Sequence, residues 1–271
     1  MKKPFLFNLF FIILIFIIVI PLLFPLLWMF MSSFKTQADI ISWPPRIFFN
    51  PTMRNFNTVF LEQNFVHYFL NSSIVSFSAV MVSLIIGLPA AYSIARFGQK
   101  RLLVLILLAR LLPGIFFLMP WYIIFTQLKL MDSYAALILS HILITLPVVV
   151  WIMSSYFKTI PIELEASAMV DGATRQRAFV SIILPLSMPG VITATMLSFI
   201  FSWNNFMFAQ VLSTEKTRTL PLAIYNFMSS AGVDLGGVMA FAAAIIIPMI
   251  IITMFFQKCV VKGLTIGAVK G

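Results

Sequence analysis

The sequence predicts an all-α, polytopic integral membrane protein with six transmembrane helices, and three observations carry that reading. Of 271 residues, 61% are hydrophobic and only 10% are charged, whereas soluble domains run to roughly half and a quarter. The mean hydropathy is +1.05, so apolar sequence is spread along the chain and not confined to one anchor. Six apolar runs, near 5–31, 67–95, 102–125, 134–157, 187–211 and 236–258, each reach the roughly 20 residues that cross about 30 Å of hydrocarbon. An open strand edge would leave unpaired backbone groups in lipid, so the runs are read as helices. An ordinary soluble globular protein is excluded.

The first run follows Lys2 and Lys3, which also fits a secretory signal. It is too long for a signal core, and no small-x-small cleavage site precedes Ser32 and Ser33, so it is read as a retained anchor. The stretch 32–66 contains Trp43, Pro44, Pro45 and Pro51; its prolines favour an extended loop over a continuous helix. Such a loop could receive an external partner. The third run contains Arg110, nine residues beyond Arg101 and hence about 14 Å further along a helix. An unpaired charge at that depth is expensive, so Arg110 is expected to face a cavity or a partner. His67 and His141 stand far apart with no ligand pattern beside them and are read as hydrogen-bonded membrane histidines.

Between the fourth and fifth runs, 158–186 mixes Lys158, Glu163, Glu165, Asp171, Arg175 and Arg177. Pro161 suits a first helical turn, Glu163 and Glu165 suit the positive end of a helix dipole, and Asp171-Gly172 supplies a break. After the break, Phe179, Ile182 and Ile183 form an apolar stripe within 173–184, before Pro185 and Pro189. Two short amphipathic pieces suit either a protein partner or the lipid interface. Trp203, Asn204 and Asn205 fall near the far end of the fifth run, where a tryptophan fits the interfacial belt. Gly263 and Gly267 have GxxxG spacing, but Lys262 and Thr265 place them beyond a span, as a closely packed tail.

Charge sets the expected orientation. With the N-terminus inside, the inner segments hold eleven basic residues and the outer segments six, with Arg110 left within a span. That asymmetry obeys the positive-inside rule and places both termini in the cytoplasm. The basic residues come singly or in pairs between apolar runs, without the stripe of a nucleic-acid reader. The single Cys259 excludes an internal disulfide and any cysteine-cluster metal site. No GxxxxGK[ST], HExxH or GxSxG motif occurs, so no catalytic or metal-binding residue is assigned.

The segment Glu165-Ala166-Ser167, Asp171-Gly172-Ala173, Phe179 and Ile182-Ile183-Leu184-Pro185 resembles the EAA loop of ABC importer permeases. The Gly-to-Leu-Pro part fits in register. Counting back from Gly172, the family's glutamate falls on Ala166, and the nearest acid, Glu165, lies one residue earlier, about 100° around a helix. The ending Gly263-Leu264-Thr265-Ile266-Gly267-Ala268-Val269-Lys270-Gly271 is similar to the GLTxGAVKG terminus of maltose-type carbohydrate permeases, in the shorter of their two subunit classes. Trp28-Met29 with Ser33-Phe34-Lys35, Tyr68-Phe69-Leu70-Asn71-Ser72, Ala90-Ala91-Tyr92 with Ala95-Arg96-Phe97, and Trp203-Asn204-Asn205-Phe206 extend the resemblance over nearly the whole chain.

The resemblance implies one permease domain, 1–271, forming half the translocation pathway of a binding-protein-dependent sugar importer in a bacterial-type plasma membrane. Its implied partners are a second permease subunit, two ATPase subunits, an extracytoplasmic solute-binding protein, a carbohydrate substrate and the bilayer. ATP and Mg would act on the ATPase subunits, with no cofactor in this chain. The 158–186 loop becomes a cytoplasmic coupling loop, with Glu163, Glu165, Asp171, Gly172 and Ala173 as the ATPase-coupling residues. Arg110, Trp203, Asn204 and Asn205 become substrate-pathway residues, with a structural role for Arg110 at the permease interface and belt anchoring by Trp203 as alternatives. Import of a polyol or a glycerol phosphate ester, and an intramembrane enzyme or assembly protein, are the competing readings.

Overall fold

The computed structural model describes residues 5–230 and 232–268, with side chains described over 14–230 and 232–257. The apolar runs coil as expected, because a helix satisfies its backbone polar groups within the segment. The main helices are α1 (Phe5–Ser32), α2 (Phe65–Arg96), α3 (Lys100–Leu111), α4 (Ile115–Gln127), α5 (Tyr134–Phe157), α6 (Ile162–Val170), α7 (Met188–Trp203), α8 (Met207–Leu212) and α9 (Leu235–Ala268). Short helical turns and one two-residue hairpin, Met228–Ser229 with Gly232–Val233, fill the connections. Val269–Gly271, the end of the tail that carries the resemblance, lie outside the described residues.

Among the described residues, four helices are long and apolar enough to cross a membrane unbroken, and up to six spans result if each of two bent pairs counts as one. The third run is thus not a straight helix: α3 and α4 meet at 90°. Pro113 lacks an N–H and holds Leu112 extended, at φ −70° and ψ 125°, which ends α3 there. The fifth run is entered by a bend and broken once. A bend of 76° separates 175–186 from α7, beside Pro185 and Pro189, and a break at 204–206 separates α7 from α8.

By internal packing the chain divides into two units, 1–66 with 224–248 and 67–223 with 249–271. In the first, the stretch after α1 is more ordered than an extended loop. The prolines do keep 42–53 out of helix, yet Gln37–Ile40 and Arg54–Glu62 coil on either side. Lys35 is 1% exposed: its Nζ donates to the Arg46 carbonyl at 2.7 Å and lies 4.3 Å from the Trp28 ring centroid. Asn55 donates to the Ser33 and Lys35 carbonyls.

The second unit is built on α2, α5 and α7. Its core joins Ala91 and Ile94 of α2 to Val149, Met153 and Phe157 of α5 and Ala194 of α7. Small residues set the helix approach, as expected between membrane helices: a Cβ on Gly190 would lie 2.6 Å from the Tyr156 ring, and one on Gly87 would lie 2.8 Å from Val149. Buried hydroxyls bridge the same helices, Ser83 to Thr145 at 2.6 Å and Ser202 to His141 at 2.8 Å. His67 pairs with Asn71 and the Lys216 carbonyl. Both histidines are therefore hydrogen-bonded side chains, as their isolation in the sequence predicted.

Candidate functional site

The segment after α5 folds as the sequence led one to expect. Pro161 caps α6, and Glu163 and Glu165 fall in its first turn, where the helix dipole favours negative charge. At the far end Gly172 adopts φ +85°. Its N–H bonds the Met169 carbonyl and the Ala173 N–H bonds the Ala168 carbonyl, the paired closure that glycine permits after a helix. Thr174 then accepts from the Arg177 N–H and caps the turn 175–178.

Glu163, Asp171 and Gly172 are exposed and Ala173 is half-buried. Glu165 is placed differently: it is 2% exposed and turned inward. Its carboxylate accepts from the Tyr92 hydroxyl, lies 3.0 Å from Arg96 Nε and 3.7 Å from Arg175 Nε. Ala166, one residue on, is exposed. The outward position that the EAA pattern gives to glutamate therefore carries a methyl group, and the acid faces α2. The outer surface of α6 is largely apolar, with Val170 at 87% exposure and Ile162 at 56%.

A second locus forms where two broken runs meet. Arg110, in the last turn of α3, shares a hollow of about 290 Å³ with Gly114, Phe117, Asn205 and Met207. Its guanidinium carbon lies 4.8 Å from the Phe201 ring centroid, within cation–π range. No carboxylate pairs with Arg110 among the described residues. Asn205 accepts from the Phe208 N–H through Oδ1, and exposed Asn204 donates to the Ile200 carbonyl. Trp203 corrects the expectation for this group. It is 3% exposed and packs between Phe69 and Phe199, so its ring fills the core instead of facing the hollow.

Sequence reasoning missed Asp132, which ties two connections together. Its carboxylate accepts from the backbone N–H and hydroxyl of both Thr214 and Thr217. Burial by itself would raise this carboxyl, but those four bonds outweigh it and hold the group well below the usual carboxylate range. The nearest local signal, an aspartate at φ +55° before the Ser133 cap of α5, does not point to partners 82 and 85 residues away.

Residues 83–266 match the family described as the binding-protein-dependent transport system inner membrane component. The chain belongs to that family. The permease is 36% identical over 260 residues to the diacetylchitobiose uptake system permease protein DasC of Streptomyces coelicolor, covering 94% of each chain. It is 35% identical over 256 residues to the trehalose/maltose transport system permease protein MalG of Thermococcus litoralis, covering 92% of each. Its fold is shared with the crystal structure of a bacterial ABC transporter involved in import of the acidic polysaccharide alginate, at a TM-score of 0.76 and 22% identity over 94% of this chain and 99% of that one. The permease is thus a multi-pass inner-membrane transport component of the ABC class and not an enzyme.

Proposed function

We propose that this permease imports a carbohydrate, as one domain forming half of the pathway beside a second permease subunit, above two ATPase subunits and below a solute-binding protein. ATP and Mg would be held by the ATPase subunits. Both termini lie in the cytoplasm in this reading, in keeping with eleven inner against six outer basic residues. The sugar assignment is supported by relatives named for uptake of diacetylchitobiose and of trehalose and maltose.

The observation that carries the coupling role is α6 itself, a short helix outside the long spans with an exposed apolar face. In this reading Ile162, Glu163, Val170, Asp171 and Gly172 meet the ATPase, Ala173 backs the turn, and Glu165 holds the helix from behind. Arg110, Asn204 and Asn205 line the pathway, and Trp203 supports them from the core. The test is reconstitution with the partner permease, the cognate ATPase and the binding protein, the binding protein being screened against oligosaccharides, polyols and glycerol phosphate esters. Carbohydrate-loaded binding protein is expected to stimulate ATP hydrolysis. Stimulation by a polyol or a phosphate ester alone would overturn the sugar assignment, and failure of the ATPase to co-purify would overturn the coupling role.

A further inference from the structure

α6 has nine residues, about 13 Å of helix, and its chain connections at both ends are turns. Thr159 and Ile160 close back on Tyr156 and Phe157 at one end, and Gly172 and Ala173 reverse the chain at the other. Such a helix would swivel when pushed unless something else fixed it. Two other pieces of chain converge to do so at the Glu165 carboxylate. Tyr92 and Arg96 reach it from the inner end of α2, and Arg175 reaches it from the turn after α6. Arg96 also donates from Nη1 to the Ile160 carbonyl at 3.1 Å, in the connection between α5 and α6. Around this polar centre Tyr92, Phe157 and Phe179 contact one another, with ring centroids 4.7–6.0 Å apart, and Arg175 lies 5.1 Å from the Phe97 ring.

Stability alone is a poor account of this arrangement. The attraction in a buried ion pair is offset by the cost of removing both charges from water, and an apolar filling is often as stable. What a fully enclosed pair supplies is register, because the charges tolerate only one geometry. The side chains of Arg96 and Glu165 are 7% and 2% exposed, so this pair is enclosed. It joins the cytoplasmic helix to a helix 32 residues long.

We infer that Arg96, Glu165 and Tyr92 form a latch that locks α6 to the inner end of α2, so that force applied to α6 moves α2 instead of being absorbed by the turns flanking α6. The inference rests on the reading of α6 as the ATPase contact. It makes Glu165 a positioning residue that acts through Arg96, in contrast to a residue that meets the ATPase from outside.

The test compares solute imported per ATP hydrolysed in the complete reconstituted transporter for wild type, Glu165→Gln, Arg96→Gln and the double variant. Each single variant is expected to lower that ratio about tenfold while the four-subunit complex still purifies, the size of a typical coupling between sites. The double variant is expected to be no worse than the poorer single one, because both act on one contact. Tyr92→Phe, which removes one hydroxyl, is expected to lower the ratio less and serves as the readout if the charge variants fail to assemble. Amide exchange over 162–170 is expected to quicken in the variants while exchange over 134–157 stays slow. Wild-type ratios in the variants, additive losses in the double variant or unchanged exchange would each overturn the latch. A wild-type complex in which α6 makes no ATPase contact would overturn the underlying reading, and the two failures are distinct.

Discussion

Asp132 shows how much one side chain can hold. Four donors from Thr214 and Thr217 converge on it, and removing the carboxylate leaves them without their acceptor. Asp132→Ala is expected to destabilise the detergent-solubilised protein by on the order of 1–3 kcal/mol, read as a lower thermal midpoint. The pH dependence has a fixed sign. A carboxyl lowered by folding contributes stability that is fully present above its unfolded value, roughly pH 4, and that fades as pH falls toward the folded value. Acidification below pH 4 is therefore expected to erode the difference between wild type and Asp132→Asn in thermal melts. Arg110 sits in the opposite situation, a charge with a hollow and an aromatic ring but no carboxylate among the described residues. Arg110→Ala is expected to reduce transport several-fold while the subunit still assembles with its partners. Intact uptake at normal expression would remove Arg110 from the pathway.

At the level of elements, the segment 158–186 was legible because its signals are local. Pro161 at the start, Glu163 and Glu165 in the first turn and Gly172 at the end each act within a few residues, and α6 formed between them. Gly172 offers a clean probe, since a Cβ there meets nothing within 4 Å and only the left-handed backbone objects. Gly172→Val is expected to cost roughly 1–2 kcal/mol locally and to loosen import from ATP hydrolysis, measured as fewer solute molecules per ATP. Gly190 reports packing instead. Its missing Cβ leaves room for the Tyr156 ring, and Gly190→Leu is expected to cost about 1–3 kcal/mol through overpacking of α5 against α7, seen in unfolding by denaturant. The breaks at 112–114 and 204–206 were less legible. Hydropathy averages over a window and registers Leu112-Pro113-Gly114 as three residues in a long apolar run, whereas the proline changes the direction of the backbone by 90°.

Across the whole molecule, composition and charge placement fixed the class and the expected orientation, since both depend on sums over many residues. A reporter enzyme fused at either terminus is expected to be active only in a cytoplasmic format, and an active periplasmic format would reverse the topology. What stayed hidden were contacts between residues far apart in sequence. Nothing near Glu165 indicates that it turns away from the surface, because its partners Tyr92 and Arg96 are 73 and 69 residues away. Nothing near Lys35 announces a buried ammonium held by the Arg46 carbonyl and the Trp28 ring. The resemblance drew attention to 90–97 as a recurring string without saying what its tyrosine and arginine touch.

The hydrogen bonds at the other end of α2 carry a consequence of their own. Asn71 donates to the Lys216 and Arg218 carbonyls and accepts from the Tyr134 hydroxyl, and Ser72 accepts from the Leu220 N–H. From Asn71 to Tyr92 is about 32 Å of helix, close to the thickness of the hydrocarbon layer. α2 is therefore pinned by side-chain polar bonds near both of its ends, and among the described residues its side-chain hydrogen bonds between them are made by hydroxyls. Such a helix resists sliding along its own axis, since any slide breaks both sets of bonds together, but it can still tilt or roll about the pins. Bilayers of different thickness should accordingly change its tilt before they change its register.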